Sequence, residues 1–99
     1  MYNTVILPLA KKDIQEAARW YNNQQEGLGK RFTAEVRKNV RFIKQNPQAS
    51  NVRYKNVRTT VLNIFPYMIH YTIDENIKTI IISAVLHASR NPKFWNSRG

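Results

Sequence analysis

Apolar positions along the chain recur with two different periods. From Ala10 to Gln25, and again from Leu28 to Gln45, they return every three or four residues, which predicts two amphipathic helices. Gly27 lies between these segments and is a candidate for the left-handed position that ends a helix. Because so few residues separate the two helices, we expect them to form an antiparallel hairpin.

The remaining apolar stretches are short and rich in β-branched residues, and turn residues bound them, as is typical of strands. The predicted strands are Thr4–Leu7, Val57–Ile64, Tyr67–Ile73 and Ile77–His87. The last stretch is almost uninterruptedly apolar, which indicates a central strand covered on both faces. Residues 92–97 have the pattern of a short helical turn with Asn91 as its cap.

The order of these elements, β-α-α-β-β-β, predicts an α+β fold of two layers. A three-stranded antiparallel meander forms the sheet, and the helix hairpin packs on one of its faces. The N-terminal strand is expected to join the same sheet, because no other strand is available to pair with it. We expect residues 1–99 to form a single domain.

Side-chain alternation predicts which residues of the last hairpin share a face. With a two-residue loop at Glu75–Asn76, the core face carries Ile69, Tyr71, Ile73, Ile80, Ile82 and Ala84. Both histidines, His70 and His87, then lie on the face away from the helices, roughly 20 Å apart. We therefore expect no catalytic histidine pair, a packing role for His70, and Tyr67, Arg90 and the basic run 53–58 gathered around His87.

The charge of the chain is strongly basic and unevenly distributed. Sixteen Lys and Arg residues face six Asp and Glu residues, a net charge of +10. From Val36 to Ile73 there are seven bases and no acid, which predicts an anionic partner such as nucleic acid or an acidic protein.

Other classes of function find little support in the composition. With no cysteine and only two histidines, we expect no disulfide, no metal site and no cofactor. No apolar run is long enough to span a membrane, and the N-terminus lacks the pattern of a signal peptide, so we expect a cytoplasmic protein without a membrane partner.

Two groups of residues are candidates for binding or chemistry. The first is a basic-aromatic cluster of Arg53, Tyr54, Lys55 and Arg58, which suits phosphate binding and base stacking but equally suits a solvated edge strand.

The second candidate group is His87 with Arg90, which offers proton transfer and anion stabilisation, the requirements of RNA cleavage. A second acid or base is missing beside them. Tyr54 or Tyr67 would need a strongly lowered pKa to supply it, and the carboxylates nearest in sequence, Asp74 and Glu75, are expected at the far end of the hairpin.

Nearly the whole chain resembles the RelE/ParE superfamily of toxins from bacterial type II toxin–antitoxin systems. The segments that carry the resemblance are Val5–Ile14, Asn56–Arg58, Phe65–Tyr71 and Ala84–Pro92. The resemblance implies a helix hairpin on an antiparallel sheet, as the residue pattern predicts independently. It also implies a cognate antitoxin, whose acidic or amphipathic segment wraps the toxin.

The resemblance leaves the mode of action open between two branches. ParE-like members poison DNA gyrase, whereas RelE-like members cut mRNA on the ribosome and often carry a Tyr near the C-terminus. This chain has no Tyr after Tyr71, which favours the ParE-like branch.

Each branch implies roles for particular residues. A gyrase inhibitor would use the basic surface, Tyr67 and the terminal segment with Arg98 as target contacts. A nuclease would use Arg53, Lys55 and Arg58 on the phosphate and His87 with Arg90 near the scissile bond. A third possibility is a protein-binding module that is not toxic.

Overall fold

Two helices pack on one face of a five-stranded sheet in the structure, a computed structural model that describes residues 2–91. The elements are β1 (Asn3–Ile6), α1 (Pro8–Gln24), α2 (Leu28–Gln45), β2 (Val52–Tyr54), β3 (Val57–Val61), β4 (Tyr67–Asp74) and β5 (Thr79–His87). The predicted α+β fold is confirmed, and the short strand β2 extends the meander at its outer edge. The predicted turn at residues 92–97 and Arg98 lie outside the described residues.

The helix hairpin follows closely from the local sequence. Helix α2 has the predicted bounds, and α1 begins earlier than predicted because Pro8 occupies a first-turn position, where its missing N–H is not needed. Gly27 has a φ of 94°, the left-handed conformation expected of it. The side chain of Asn22 accepts a hydrogen bond of 2.8 Å from the Gly27 N–H, which holds the connection closed.

The strand order is β1-β5-β4-β3-β2, so β5 is an interior strand, second from the edge, and the middle strand is β4. Strand β1 joins the same sheet, as expected, by pairing in parallel with β5 from Asn3 opposite Thr79 to Ile6 opposite Ile82. The other neighbouring pairs are antiparallel. Strand β5 is therefore paired along both of its edges, with the N-terminal strand β1 on one side and with β4 on the other.

The predicted register of the β4–β5 hairpin is wrong. Asp74 pairs with Thr79, so the connecting loop has four residues, and Lys78 within it has a φ of 50°. Further along, Tyr71 pairs with Ile82 but His70 pairs with Ala84. One residue of β5, Ser83, is therefore an extra residue in a β-bulge, which shifts the register of everything after it.

The bulge reverses which side chains of β5 point toward the helices. Ile80 and Ile82 pack in the core beneath the helices, but the next core residue is Val85 and not Ala84 as predicted. Ala84 instead packs on the opposite face with Met68 and Leu86. Both faces of β5 are buried, as its continuous apolar sequence indicates.

Candidate functional site

His87 lies on the helix-covered side of the sheet, where the sequence reasoning did not place it. It pairs with Tyr67 across the strands, and the two ring centroids are 5.3 Å apart in an edge-to-face arrangement. His70 is fully buried on the other face, and its Nδ1 lies 3.1 Å from the Tyr54 hydroxyl. The expectation that both histidines share a face is therefore wrong, although they are still not a catalytic pair.

A cleft of about 180 Å³ opens beside His87 at the end of β5. Its lining comes from α1, β4 and β5 and consists of Asp13, Glu16, Ala17, Trp20, Tyr67, Val85, Leu86, His87 and Arg90. The structure thus brings His87, Arg90 and Tyr67 together, as expected. It adds Asp13, Glu16 and Trp20, which no sequence signal connected with them, because only the packing of α1 on the sheet makes them neighbours.

The imidazole of His87 is held by the turn that follows it. The backbone N–H of Ser89 donates to His87 Nδ1 over 3.1 Å, and the Ser89 hydroxyl lies 2.7 Å from the same nitrogen. Because a backbone N–H can only donate, Nδ1 acts as the acceptor, and the proton of the neutral ring is on Nε2. The lone pair on His87 Nδ1 is therefore occupied by hydrogen bonding to Ser89.

Tyr67 is partly buried beside His87. Burial raises the pKa of its phenol, and the nearby Asp13 carboxylate acts in the same direction, while Arg90 partly opposes both. The phenol is therefore protonated near neutral pH, the opposite of what a catalytic base requires.

Asp13 takes part in the sheet itself. Strand β1 ends at Ile6, and beyond that point β5 has no strand on this edge among the described residues. One Asp13 carboxylate oxygen accepts a hydrogen bond of 3.0 Å from the Val85 N–H there. With Glu16 in the same cleft, two carboxylates stand near His87 and make this position unfavourable for a phosphate.

The basic-aromatic cluster lies elsewhere on the sheet. Arg58 is partly buried, and its guanidinium donates to the Ser50 backbone carbonyl over 2.5 Å, so it supports the loop between α2 and β2. Arg53 and Lys55 are exposed at the β2 edge. Tyr54 is half-buried against His70, with ring centroids 5.8 Å apart.

The two candidate groups do not form one site. Arg58 pairs with Tyr71, four residues along β4 from the Tyr67–His87 pair and two strands across from β5. Strand geometry places the backbones of Arg58 and His87 roughly 16 Å apart. The expectation that the basic run gathers around His87 is therefore wrong.

A larger groove of about 390 Å³ lies between the two helices and β1, and sequence reasoning missed it. Its apolar lining comes from Ile6, Ile14, Val36 and Val40, and its polar lining from Lys11, Gln15, Thr33, Arg37 and Arg41. The groove is thus apolar inside, and every charged residue in its lining is basic. The helical spacing of Val36, Arg37, Val40 and Arg41 was visible in the sequence, but the packing that leaves them open was not.

Two further structural searches are negative for the described part of the chain. Among residues 2–91, no three His, Asp or Glu side chains converge as metal ligands would. No helix in this range is long and apolar enough to cross a membrane.

Family comparison agrees with the fold. The family model described as "ParE toxin of type II toxin-antitoxin system, parDE" matches residues 5–92. The chain therefore belongs to the ParE toxin family of type II toxin–antitoxin systems, within the RelE/ParE superfamily. Among curated proteins, none matches the sequence significantly.

Solved structures of toxins share the fold at low sequence identity. A chain of the chromosomal ParDE system from P. aeruginosa superposes with a TM-score of 0.79 at 17% identity, covering 90% of this chain and 98% of that one. The isolated E. coli RelE toxin superposes with a TM-score of 0.68 at 15% sequence identity, covering 98% of this chain and 95% of that one. A chain of the RelBE2 toxin–antitoxin complex from Mycobacterium tuberculosis superposes with a TM-score of 0.62 at 16% sequence identity, covering 87% of this chain and 96% of that one.

Proposed function

We propose that this protein is a toxin that inhibits growth by binding DNA gyrase in the cytoplasm, and that it acts without cutting RNA. The observation that carries the proposal is the hydrogen bond from the Ser89 N–H to His87 Nδ1, which occupies the acceptor nitrogen of the imidazole. Membership of the ParE family supports the toxin class.

Three features of the cleft favour binding over cleavage. A general base needs an accessible lone pair, and that of His87 is already used. Tyr67 has a raised pKa and does not replace it. The carboxylates of Asp13 and Glu16 repel the phosphate that a nuclease must hold.

The residues proposed for target contact are the exposed ones of the two candidate groups. Arg53 and Lys55 present cations at the β2 edge, and Tyr67 and Arg90 line the cleft. Arg and aromatic side chains are the types that most often dominate the energy of protein interfaces. Arg58 contributes to this surface mainly by supporting the loop between α2 and β2 through its hydrogen bond to Ser50.

The groove between the helices and β1 is the proposed site of the antitoxin. Its apolar interior fits the apolar face of an amphipathic helix, and Lys11, Arg37 and Arg41 fit acidic residues along the helix flanks. Chains of two toxin–antitoxin systems share the fold, which supports a cognate antitoxin as partner.

The gyrase proposal predicts a specific pair of results during growth inhibition. Purified toxin is expected to abolish supercoiling by purified gyrase, and expression of the toxin in cells is expected to leave the 5′ ends of cellular mRNA unchanged. An in vitro supercoiling assay and 5′-end mapping in growth-inhibited cultures provide the two measurements. New 5′ ends phased with codons, alongside normal supercoiling, would establish the nuclease reading instead.

Charge-reversed variants supply the control for this test. Arg53→Glu combined with Lys55→Glu is expected to raise the protein concentration for half-inhibition at least about tenfold, as loss of a good interface contact does. Lys30→Glu combined with Arg31→Glu makes the same change of net charge at exposed positions at the start of α2 and should leave inhibition nearly unchanged. Equal loss in both variants would show that only overall charge matters.

A further inference from the structure

An aromatic recess lies beside the cleft at the end of β5. It holds about 390 Å³ and is lined by Trp20, Tyr21, Pro66, Tyr67 and His87. This volume is in the range of sites that bind small molecules. Three of these residues, Trp20, Tyr67 and His87, also line the cleft, so the recess and the cleft are adjoining parts of one depression.

The rings of the recess are held in place by contacts with one another. Trp20 meets Tyr21 edge-to-face with ring centroids 5.1 Å apart, and Tyr21 meets Tyr67 with centroids 6.0 Å apart. Tyr67 in turn packs against His87. A partner that binds rings already held in this way does not have to order them first, which lowers the entropic cost of binding.

Trp20 is the exposed member of this group. Its side chain is 56% exposed, whereas its neighbour Tyr21 is partly buried and stacks on Phe32 in the core, with centroids 5.5 Å apart. The core therefore positions the rings, and the protein itself covers little of the indole. Tryptophan is among the residues that most often dominate the binding energy of protein interfaces.

The adjoining cleft adds negative charge to a basic protein. Within residues 2–91, its lining contains the carboxylates of Asp13 and Glu16 and one guanidinium, that of Arg90, a formal charge of −1. Two of the six carboxylates in the sequence thus lie in one cleft of a chain whose net charge is +10. The local field beside the recess therefore favours a cation.

These features select the kind of group that the recess accepts. The faces of aromatic rings attract cations, and tryptophan attracts them most strongly. A guanidinium is planar, stacks on such rings and forms paired hydrogen bonds with a carboxylate, which an ammonium group does not. A nucleotide is disfavoured, because its phosphate would approach Asp13 and Glu16.

We infer that the recess accepts an arginine side chain of the target protein. The guanidinium lies against Trp20 and Tyr67, with its N–H groups toward Glu16. The inference rests on the proposed function, in which gyrase is the target and Tyr67 contacts it. It adds that gyrase supplies the cation here, whereas at Arg53 and Lys55 the toxin supplies it.

Removing the indole tests the recess directly. Trp20→Ala is expected to raise the toxin concentration for half-inhibition of gyrase supercoiling at least about tenfold. Phe42→Ala is the matched control, because Phe42 is also a helical aromatic residue, is 51% exposed and lines neither the recess nor the cleft. It should inhibit nearly as well as the wild type. Equal loss in the two variants would overturn the inference.

Removing one carboxylate tests the charge of the occupant. Glu16→Gln keeps the size of the side chain and is expected to weaken inhibition about threefold, as loss of an exposed ion pair does. Glu26→Gln, in the exposed turn between the helices, makes the same change of net charge and should leave inhibition unchanged. If Trp20→Ala weakens inhibition but Glu16→Gln does not, the occupant is apolar and the inference of an arginine is wrong.

A pair of small probes keeps the inference testable if a variant fails to fold. On the wild-type protein, N-acetylarginine amide is expected to shift the NMR signals of Trp20, Tyr67 and His87. Its neutral analogue, N-acetylcitrulline amide, is expected to shift them much less, because it lacks the charge that the rings and carboxylates attract. Equal shifts from both probes, or shifts confined to residues outside the recess, would contradict the inference.

The same experiments separate the inference from the proposed function. If wild-type toxin leaves gyrase supercoiling unaffected, the proposed function and gyrase as the source of the arginine both fail, whatever the probes do. If the wild type inhibits gyrase and Trp20→Ala inhibits it equally well, only the inference fails.

Discussion

A single carboxylate replaces a missing strand at the end of β5. Leu7, just after β1, donates its N–H to the Ile82 carbonyl of β5. Further along the same edge of β5, the Val85 N–H points toward the place where β1 would continue. Asp13 of α1 accepts the hydrogen bond that a longer β1 would have accepted. Since Val85 is almost fully buried, water is a poor substitute for this acceptor.

Removing this acceptor is expected to destabilise the protein. Asp13→Ala leaves a buried N–H unsatisfied and should lower the free energy of unfolding by about 1–3 kcal/mol, measured by urea denaturation. Glu16→Ala, on the same helix but exposed, should stay within about 0.5 kcal/mol of the wild type. Equal stability of the two variants would show that Val85 finds another acceptor.

The candidate site was predictable from the sequence only where its residues are neighbours in the same hairpin. His87, Arg90 and Tyr67 lie at the joined ends of β4 and β5, so any reasonable register brings them together. Asp13 reaches them from the opposite end of the chain. Its position depends on how α1 crosses the sheet, which helical periodicity does not determine.

At the scale of elements, the bulge at Ser83 decides which face each side chain of β5 occupies. The prediction from side-chain alternation failed here because β5 is apolar on both faces, so the sequence does not distinguish between the two assignments of its side chains to faces. The step from Ile82 to Val85 as successive core residues is three positions and not two, and only the structure reveals it. The short strand β2 escaped prediction for a related reason, since three residues are too few to show a period.

The helices, in contrast, followed from the sequence almost residue by residue. Seventeen and eighteen residues provide several turns of consistent spacing, and Gly27 marks the break between them. The detail that remained hidden is the contact at Gly29, where a Cβ would lie 2.6 Å from the Ala18 backbone oxygen. The absence of a side chain there allows the two helices to approach closely.

Adding that methyl group is expected to separate the helices. Alanine favours helix over glycine by up to about 1 kcal/mol, but at Gly29 the clash with backbone should dominate, with a net loss of about 1–2 kcal/mol in unfolding free energy. Lys30→Ala, at the exposed neighbouring position, is the control and should change stability by less than about 0.5 kcal/mol. A more stable Gly29→Ala variant would show that α1 shifts at little cost.

At the scale of the whole molecule, Glu75 connects three distant parts of the chain. Tyr2 donates its hydroxyl proton to one carboxylate oxygen over 2.7 Å, and Gln48 donates to the other over 3.2 Å. Lys78 forms an ion pair of 3.3 Å with the same carboxylate. These contacts, with the Tyr2 hydrogen bond as the largest effect, lower the pKa of Glu75.

The lowered pKa gives stability a defined dependence on pH. A carboxyl whose folded pKa is depressed stabilises the fold above its unfolded value, and this contribution is lost as pH falls through the folded value. Wild type is therefore expected to have a higher melting temperature than Glu75→Gln at neutral pH, and the difference should narrow as the pH falls below the usual pKa of a glutamate carboxyl and through the lowered pKa of Glu75. Thermal unfolding across this range is the measurement, with the exposed Glu26→Gln as control. A difference independent of pH would assign the effect to geometry and not to charge.

The parallel pairing of β1 with β5 also has a consequence for the order in which the protein folds. The partner of Asn3 is Thr79, so the first strand to be translated has no place in the sheet until nearly the last strand exists. Contacts this distant in sequence form slowly, because a long loop must close before they contribute. A polypeptide that stops short of Thr79 lacks the strand that unites the sheet. The complete sheet is therefore expected to form only after β5 has been synthesised, and products that stop before Thr79 should fail to fold, which limited proteolysis of truncated chains would show.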